Sequence, residues 1–224
     1  TTISEHLIMV CLMLLRRQME YTEIIRAGGW ETLPGGIRSL HGARITVLGT
    51  GDIGTEFARR AQAFHPACIT GVRRTVRSSD PAFTSIHAIA ELDSVLPETD
   101  ILVMALPSTA ETVGILSRER IALLPDSAFV VNVGRGTAID QEALCGALNA
   151  GRLAGAALDV VVPEPLPADH PLRRAKNLLL TPHVAGNMTL GYTCDKSVQM
   201  FCDDLENYAA GRPLAHLVDR KRGY

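Results

Sequence analysis

From residue 44 onward the apolar positions fall into short runs separated by longer stretches of helix-like spacing. Runs rich in Val, Ile, Leu and Ala at 44–48, 67–72, 100–106, 128–133, 154–158 and 177–180 predict six strands. Helices are predicted over 53–64, 117–124, 141–150 and within 189–210, with a weaker one near 86–96. Local punctuation agrees. Asp140 is placed to cap the helix at 141–150 and Gly151 to end it, while Gly211 and Pro213 stop the last one. Alternation of this kind predicts an α/β architecture, a doubly wound parallel sheet with helices on both faces. Pro163, Pro165, Pro167 and Pro171 make 161–176 a predicted loop.

The apolar run at 7–15 is far shorter than the ~20 residues needed to span a bilayer. It has no basic flank before it and no small-residue cleavage site after it, so it predicts a buried helix and no membrane association. Thr2-Ile3-Ser4-Glu5 has capping-box spacing for its start, and Arg16-Arg17 lie where cations favour a helix end. The chain begins with Thr and opens directly on this helix, so further sequence is expected upstream.

Composition narrows the function classes. With 46% hydrophobic and 21% charged residues the chain is an ordinary globular sequence, and a net charge of −2 gives no reason to expect nucleic acid as a partner. The one basic run, Arg220-Lys221-Arg222, sits on a terminus expected to fray. Five cysteines without a C-x-x-C spacing suggest neither a disulfide framework nor a metal site, and fit a reducing cytoplasm.

The first predicted strand runs into GTGDIG at 49–54 and then into a helix. In that context Gly49 allows the tight turn, Gly51 lets backbone approach a pyrophosphate, and Gly54 lets helix and strand pack closely. The helix N-terminus then faces the anion, with the Asp52 and Ile53 amides as donors. An acidic residue about 20 positions further on would mark the adenosine ribose of NAD. Val72-Arg73-Arg74-Thr75 stands there instead, and Asp80 is too far along. Two guanidinium groups suit a 2′-phosphate, so NADP(H) is the expected preference. NAD(H) is the alternative if Arg73 and Arg74 form a solvated loop face or stack on adenine without demanding the phosphate.

Near the ends of later strands stand LPSTAET (106–112), VNVGRGTAID (131–140), DVVVPEPLP (159–167) and TPHVAG (181–186). Together with the glycine turn, in this order and spacing, they resemble the motifs of the D-isomer-specific 2-hydroxyacid dehydrogenase family, from the first helix to about Asn187. The resemblance implies a Rossmann fold and catalytic roles for Arg135, Glu164 and His183. His183 would be the general acid/base for a developing alkoxide, Glu164 would orient and charge its imidazole, and Arg135 would grip the substrate carboxylate. The lesser alternatives are a loop charge for Glu164 and a phosphate clamp for Arg135, while the remaining histidines read as structural donors. Further cofactor contacts are expected from Thr75, Leu106, Pro107, Thr112, Val133, Gly134, Asp159, His183, Ala185 and Gly186. For Ser108, Thr109 and Thr112 a helix-capping role stands beside a cofactor contact.

The resemblance further implies that 1–194 form the nucleotide-binding domain and that 195–224 are the remnant of a second, substrate-covering domain whose first part is absent. Val198, Phe201 and Leu205 are then expected on an uncovered face, and turnover by the 224 residues is expected to be poor. The implied partners are a small 2-oxo or 2-hydroxy acid and a second copy of the chain, paired through the nucleotide domain. Phosphite-type oxidation and a nucleotide-sensing module of the corepressor type are the alternatives, whereas formate oxidation is disfavoured by Glu164.

Overall fold

The computed structural model describes residues 2–76 and 79–220. Among them seven strands form one all-parallel sheet: β1 Arg44–Leu48, β2 Cys68–Arg73, β3 Ser85–Ala88, β4 Ile101–Met104, β5 Phe129–Asn132, β6 Gly155–Leu158 and β7 Leu178–Leu180. Their order is β3-β2-β1-β4-β5-β6-β7, so the chain winds outward from β1 in one direction and then returns to build from β4 in the other. Helices α1 Thr2–Leu15, α2 Gln18–Arg26, α3 Asp52–Ala61, α4 Leu92–Val95, α5 Arg118–Leu123, α6 Gln141–Asn149 and α7 Gly191–Ala209 complete the molecule.

The period-2 alternation within the strands makes two cores. Ile45, Val47, Ile101, Val103, Phe129 and Val131 point to the face covered by α1 and α3, where Leu7, Leu14 and Phe57 are buried. Leu48, Leu102, Met104 and Val130 point to the opposite face, against Leu92, Ile121, Leu144 and Leu148. A sheet apolar on both sides needs such double cover, which parallel crossovers supply. The buried Thr46 and Thr99 hydroxyls satisfy each other at 2.7 Å.

The doubly wound expectation is met, with local corrections. The segment 86–96, expected as a helix, starts as the edge strand β3, paired with β2 from Thr70↔Ser85 to Arg73↔Ala88, and only then turns helical. Seven strands therefore stand where six were expected. The helix expected over 53–64 starts at Asp52 and tightens to a 3-10 turn over Gln62–Phe64. The first helix ends before Arg16-Arg17, as expected, but Arg17 takes a left-handed conformation (φ 53°) and leads into a second helix, α2, that was not expected. Thr2 already lies within α1 and its hydroxyl meets that of Thr193 at 3.1 Å, in place of capping the helix. The loop at 161–176 holds a 3-10 turn, Pro171–Arg174. Asp140 caps α6 as expected, accepting from the Ala143 N–H at 2.9 Å, and Gly151 follows with φ 70°.

Among the described residues no helix is long and apolar enough to cross a membrane. The Lys221-Arg222 part of the terminal basic run lies outside the described residues. No residue of α7 is buried, and Val198, Phe201 and Leu205 are exposed.

Phe57 is the largest fully enclosed side chain, at 0% exposure on α3. Its replacement in Phe57→Ala is expected to cost about 3–5 kcal/mol, read as a lowered midpoint with unchanged slope in urea unfolding.

Candidate active site

The reversal of winding direction lies between β1 and β4, and at their carboxyl ends the chain leaves a groove. The groove holds about 550 Å³ and is lined by Gly49, Thr50, Gly51 and Ile53 on one side, Arg73, Arg74 and Thr75 on another, and Leu106, Pro107, Thr109, Thr112, Val133, Gly134 and Arg135 across from them.

Three glycines shape the turn by different means. Gly49 has φ 104°, and a Cβ there would stand 2.7 Å from the Ala105 carbonyl oxygen. At Gly54 a Cβ would fall 2.0 Å from the Gly49 oxygen, so α3 packs on β1 only without a side chain. A Cβ on Gly51 would meet nothing within 4 Å: the space above the helix N-cap is open. The first N–H groups of any helix lack intrahelical partners, and here they face that opening together with the positive end of the α3 dipole. A pyrophosphate fits these features. Gly134 closes the far wall, where a Cβ would sit 2.5 Å from the Leu106 carbonyl oxygen.

His183 and Glu164 meet directly. His183 Nδ1 lies 2.7 Å from Glu164 Oε2, and Glu164 Oε1 accepts the Val161 N–H at 2.9 Å. Burial pushes the Glu164 carboxyl up, but the bonds from His183 and the Val161 N–H outweigh it and hold it below the usual glutamate value. Both residues line a second hollow of about 620 Å³ with Thr181, Leu166 and Arg173.

The loop carrying His183 is fixed from beneath by Asp159, which is 3% exposed. Its carboxylate accepts from the Thr181 hydroxyl at 2.5 Å, the Val184 N–H at 2.9 Å and the Ala185 N–H at 3.0 Å, while its carbonyl accepts the His183 N–H at 2.9 Å. These bonds hold His183 in a left-handed conformation (φ 54°) with its side chain exposed at the sheet edge. His6 of α1 adds a weaker contact, its Nε2 lying 3.4 Å from the Thr181 hydroxyl.

Arg135 is exposed in the groove and its guanidinium donates to the Gly134 carbonyl at 2.7 Å. Its loop abuts that of Glu164, because a Cβ on Gly136 would stand 2.4 Å from the Val161 carbonyl carbon. Two residues that the motifs did not single out hold this junction. The Asn132 side chain donates to the Arg135 carbonyl and accepts from the Gly134 N–H, both at 2.9 Å. The Gln141 amide donates to the Val162 carbonyl at 2.6 Å and accepts its N–H at 2.9 Å. Buried or backbone-directed amides at strand ends are the signal that points to such residues, and it is weak in a sequence.

Other expected contacts fall in different places. Ala185 is buried, and Gly186 abuts Ile3 of α1, so neither lines the groove. Thr112 lines it, yet its hydroxyl is spent on its own loop, donating to the Pro107 carbonyl at 2.6 Å and accepting from the Thr109 N–H at 2.8 Å. Asp80 is turned to Arg59 at 3.7 Å and to the Ala82 N–H, and does not line the groove. No group of three or more His, Cys, Asp or Glu able to hold a metal occurs among the described residues.

Residues 8–185 match the family model described as D-isomer specific 2-hydroxyacid dehydrogenase, NAD binding domain. The chain belongs to this family. A relative from Pectobacterium carotovorum, glyoxylate/hydroxypyruvate reductase B, is 36% identical over 190 residues, which cover 82% of this chain and 58% of the relative; the chain thus spans little more than half of that reductase's length. Among solved family members, a D-isomer specific 2-hydroxyacid dehydrogenase from Xanthobacter autotrophicus in complex with NADPH is 31% identical with a TM-score of 0.87, covering 100% of this chain and 89% of that one. An NADPH-dependent glyoxylate/hydroxypyruvate reductase from Sinorhizobium meliloti in complex with NADP is 28% identical with a TM-score of 0.89, covering 100% of this chain and 69% of that one.

A carboxyl held below its ordinary value stabilises the fold where it is ionised and loses that contribution as pH falls through the lowered value. In Glu164→Gln the acid side of the stability profile is therefore expected to flatten, with urea midpoints of variant and parent converging as the pH is lowered from 7 to 3.

Proposed function

We propose that the protein transfers reducing equivalents between NADP(H) and a small 2-oxo or 2-hydroxy acid of the glyoxylate or hydroxypyruvate kind. The observation that carries this reading is the 2.7 Å contact of His183 Nδ1 with Glu164, held at the same sheet edge as the glycine-turn groove. The names of the Pectobacterium and Sinorhizobium relatives support the substrate class, and the two nucleotide complexes support the cofactor.

The amides after Gly51 receive the pyrophosphate, and Arg73, Arg74 and Thr75 receive the adenosine end with its 2′-phosphate. When bound, NADPH supplies the hydride. The Nδ1–H of His183 donates to the Glu164 carboxylate, which fixes the tautomer and leaves Nε2 to face the substrate oxygen. The imidazolium gives its Nε2 proton to the forming alkoxide, and Glu164 stabilises the charged ring before that transfer. Arg135 exchanges its single bond to the Gly134 carbonyl for the two oxygens of the substrate carboxylate. Asp159 acts beneath these groups by fixing the His183 loop.

In the same reading, 195–224 belong to a second body to which the bare α7 attaches, and the molecule is a homodimer through its nucleotide domain. Five free cysteines suit a reducing cytoplasm.

Two measurements test the proposal. By calorimetric titration NADPH is expected to bind more tightly than NADH, and Arg73→Asp with Arg74→Ala to abolish that preference; tighter binding of NADH by the parent chain contradicts the cofactor choice. His183→Asn is expected to lower 2-oxo-acid-dependent NADPH oxidation by ~10²- to 10⁴-fold, with a far smaller change in NADPH affinity. An unaltered rate removes His183 from the chemistry.

A further inference from the structure

Arg73 and Arg74 leave the end of β2 side by side, yet they differ in engagement. Arg74 Nη1 lies 3.5 Å from Glu111 Oε2, and Glu111 comes from the opposite wall, the loop after β4. Arg73 forms no ion pair among the described residues. All three line the groove, and the Arg74 and Glu111 side chains are 46% and 64% exposed. The contact therefore bridges the groove at the end where the adenosine is placed by the proposed function, on which this inference rests.

We propose that Glu111 is a specificity-determining residue: its carboxylate competes with a 2′-phosphate for the Arg74 guanidinium and so restrains the preference for 2′-phosphorylated nucleotides. A single long contact between exposed charges is weak and is readily exchanged. A phosphate offers the same guanidinium two short charge-assisted bonds and displaces the carboxylate. Glu111 is then left as an unpaired anion beside the phosphate, so lost pairing and like-charge repulsion both act against the phosphorylated ligand. A ribose bearing free hydroxyls needs no such exchange and leaves the Arg74–Glu111 contact closed over it. Glu111 opposes one nucleotide class and is indifferent to the other.

The test is calorimetric titration of the 224-residue chain with NADPH, NADH and adenosine 2′,5′-bisphosphate, comparing the parent with Glu111→Gln, Arg74→Ala and the double variant. Glu111 is exposed and its amide replacement is isosteric, so the variant is expected to fold as the parent does. Glu111→Gln is expected to tighten NADPH and the bisphosphate about threefold to tenfold and to leave NADH within about twofold. That gain should shrink in high salt and vanish in the Arg74→Ala background. An unchanged NADPH affinity, an equal gain for NADH, or a gain that survives loss of Arg74 overturns the inference and leaves the cofactor reading standing. If the parent chain binds none of the three probes, the cofactor reading falls and this inference falls with it.

Discussion

A buried carboxylate whose hydrogen bonds all go to one neighbouring loop is the constraint on which the site depends. Asp159 follows β6 and holds the chain beyond β7 by three bonds from Thr181, Val184 and Ala185, so the intervening His183 has little freedom but to project outward. Burial of such a group is tolerated only because each oxygen is engaged. Its partners are all on one turn, which converts the cost of burial into the orientation of a single imidazole. Glu164 then needs only to meet that imidazole from its own loop; the Val161 N–H bonds it directly, and Gln141 holds the backbone of the neighbouring Val162.

The sheet supplies the rest of the arrangement. Its strands are apolar on both faces and leave no exposed face for chemistry, so polar groups gather at the carboxyl edge where the loops begin. At that edge backbone approaches backbone closely, at Gly49 against Ala105, Gly134 against Leu106 and Gly136 against Val161. The glycines serve as contacts between neighbouring loops, and through them the nucleotide groove and the His183–Glu164 pair become parts of one rim. Gly51 is the exception, with open space above it where a ligand can approach the backbone.

Much of this was legible beforehand because the relevant signals are local. A strand, a glycine turn and a helix in succession place a phosphate site without reference to anything distant, and the Pro-rich segment around Glu164 and the Thr-Pro-His segment each announce a loop at a strand end. What escaped reading depends on distant partners. Ile86 in β3 sits in a run whose apolar spacing suits a helix, and only pairing with β2 makes it an edge strand. Nothing local marks Arg17 as left-handed or the segment after it as the helix α2. Asn132 and Gln141 act on backbone groups of other loops, Ala185 and Gly186 pack inward, and Glu111 gains meaning only from Arg74 across the groove.

The joint placement of nucleotide and imidazole is the central claim, and a crystal structure of the chain with NADPH bound tests it most directly. The expected result has the diphosphate on the amides following Gly51 and the nicotinamide ring beside the outward edge of His183, with its bond to Glu164 intact. A nucleotide seated elsewhere, or a nicotinamide ring directed away from the His183–Glu164 pair, contradicts the account.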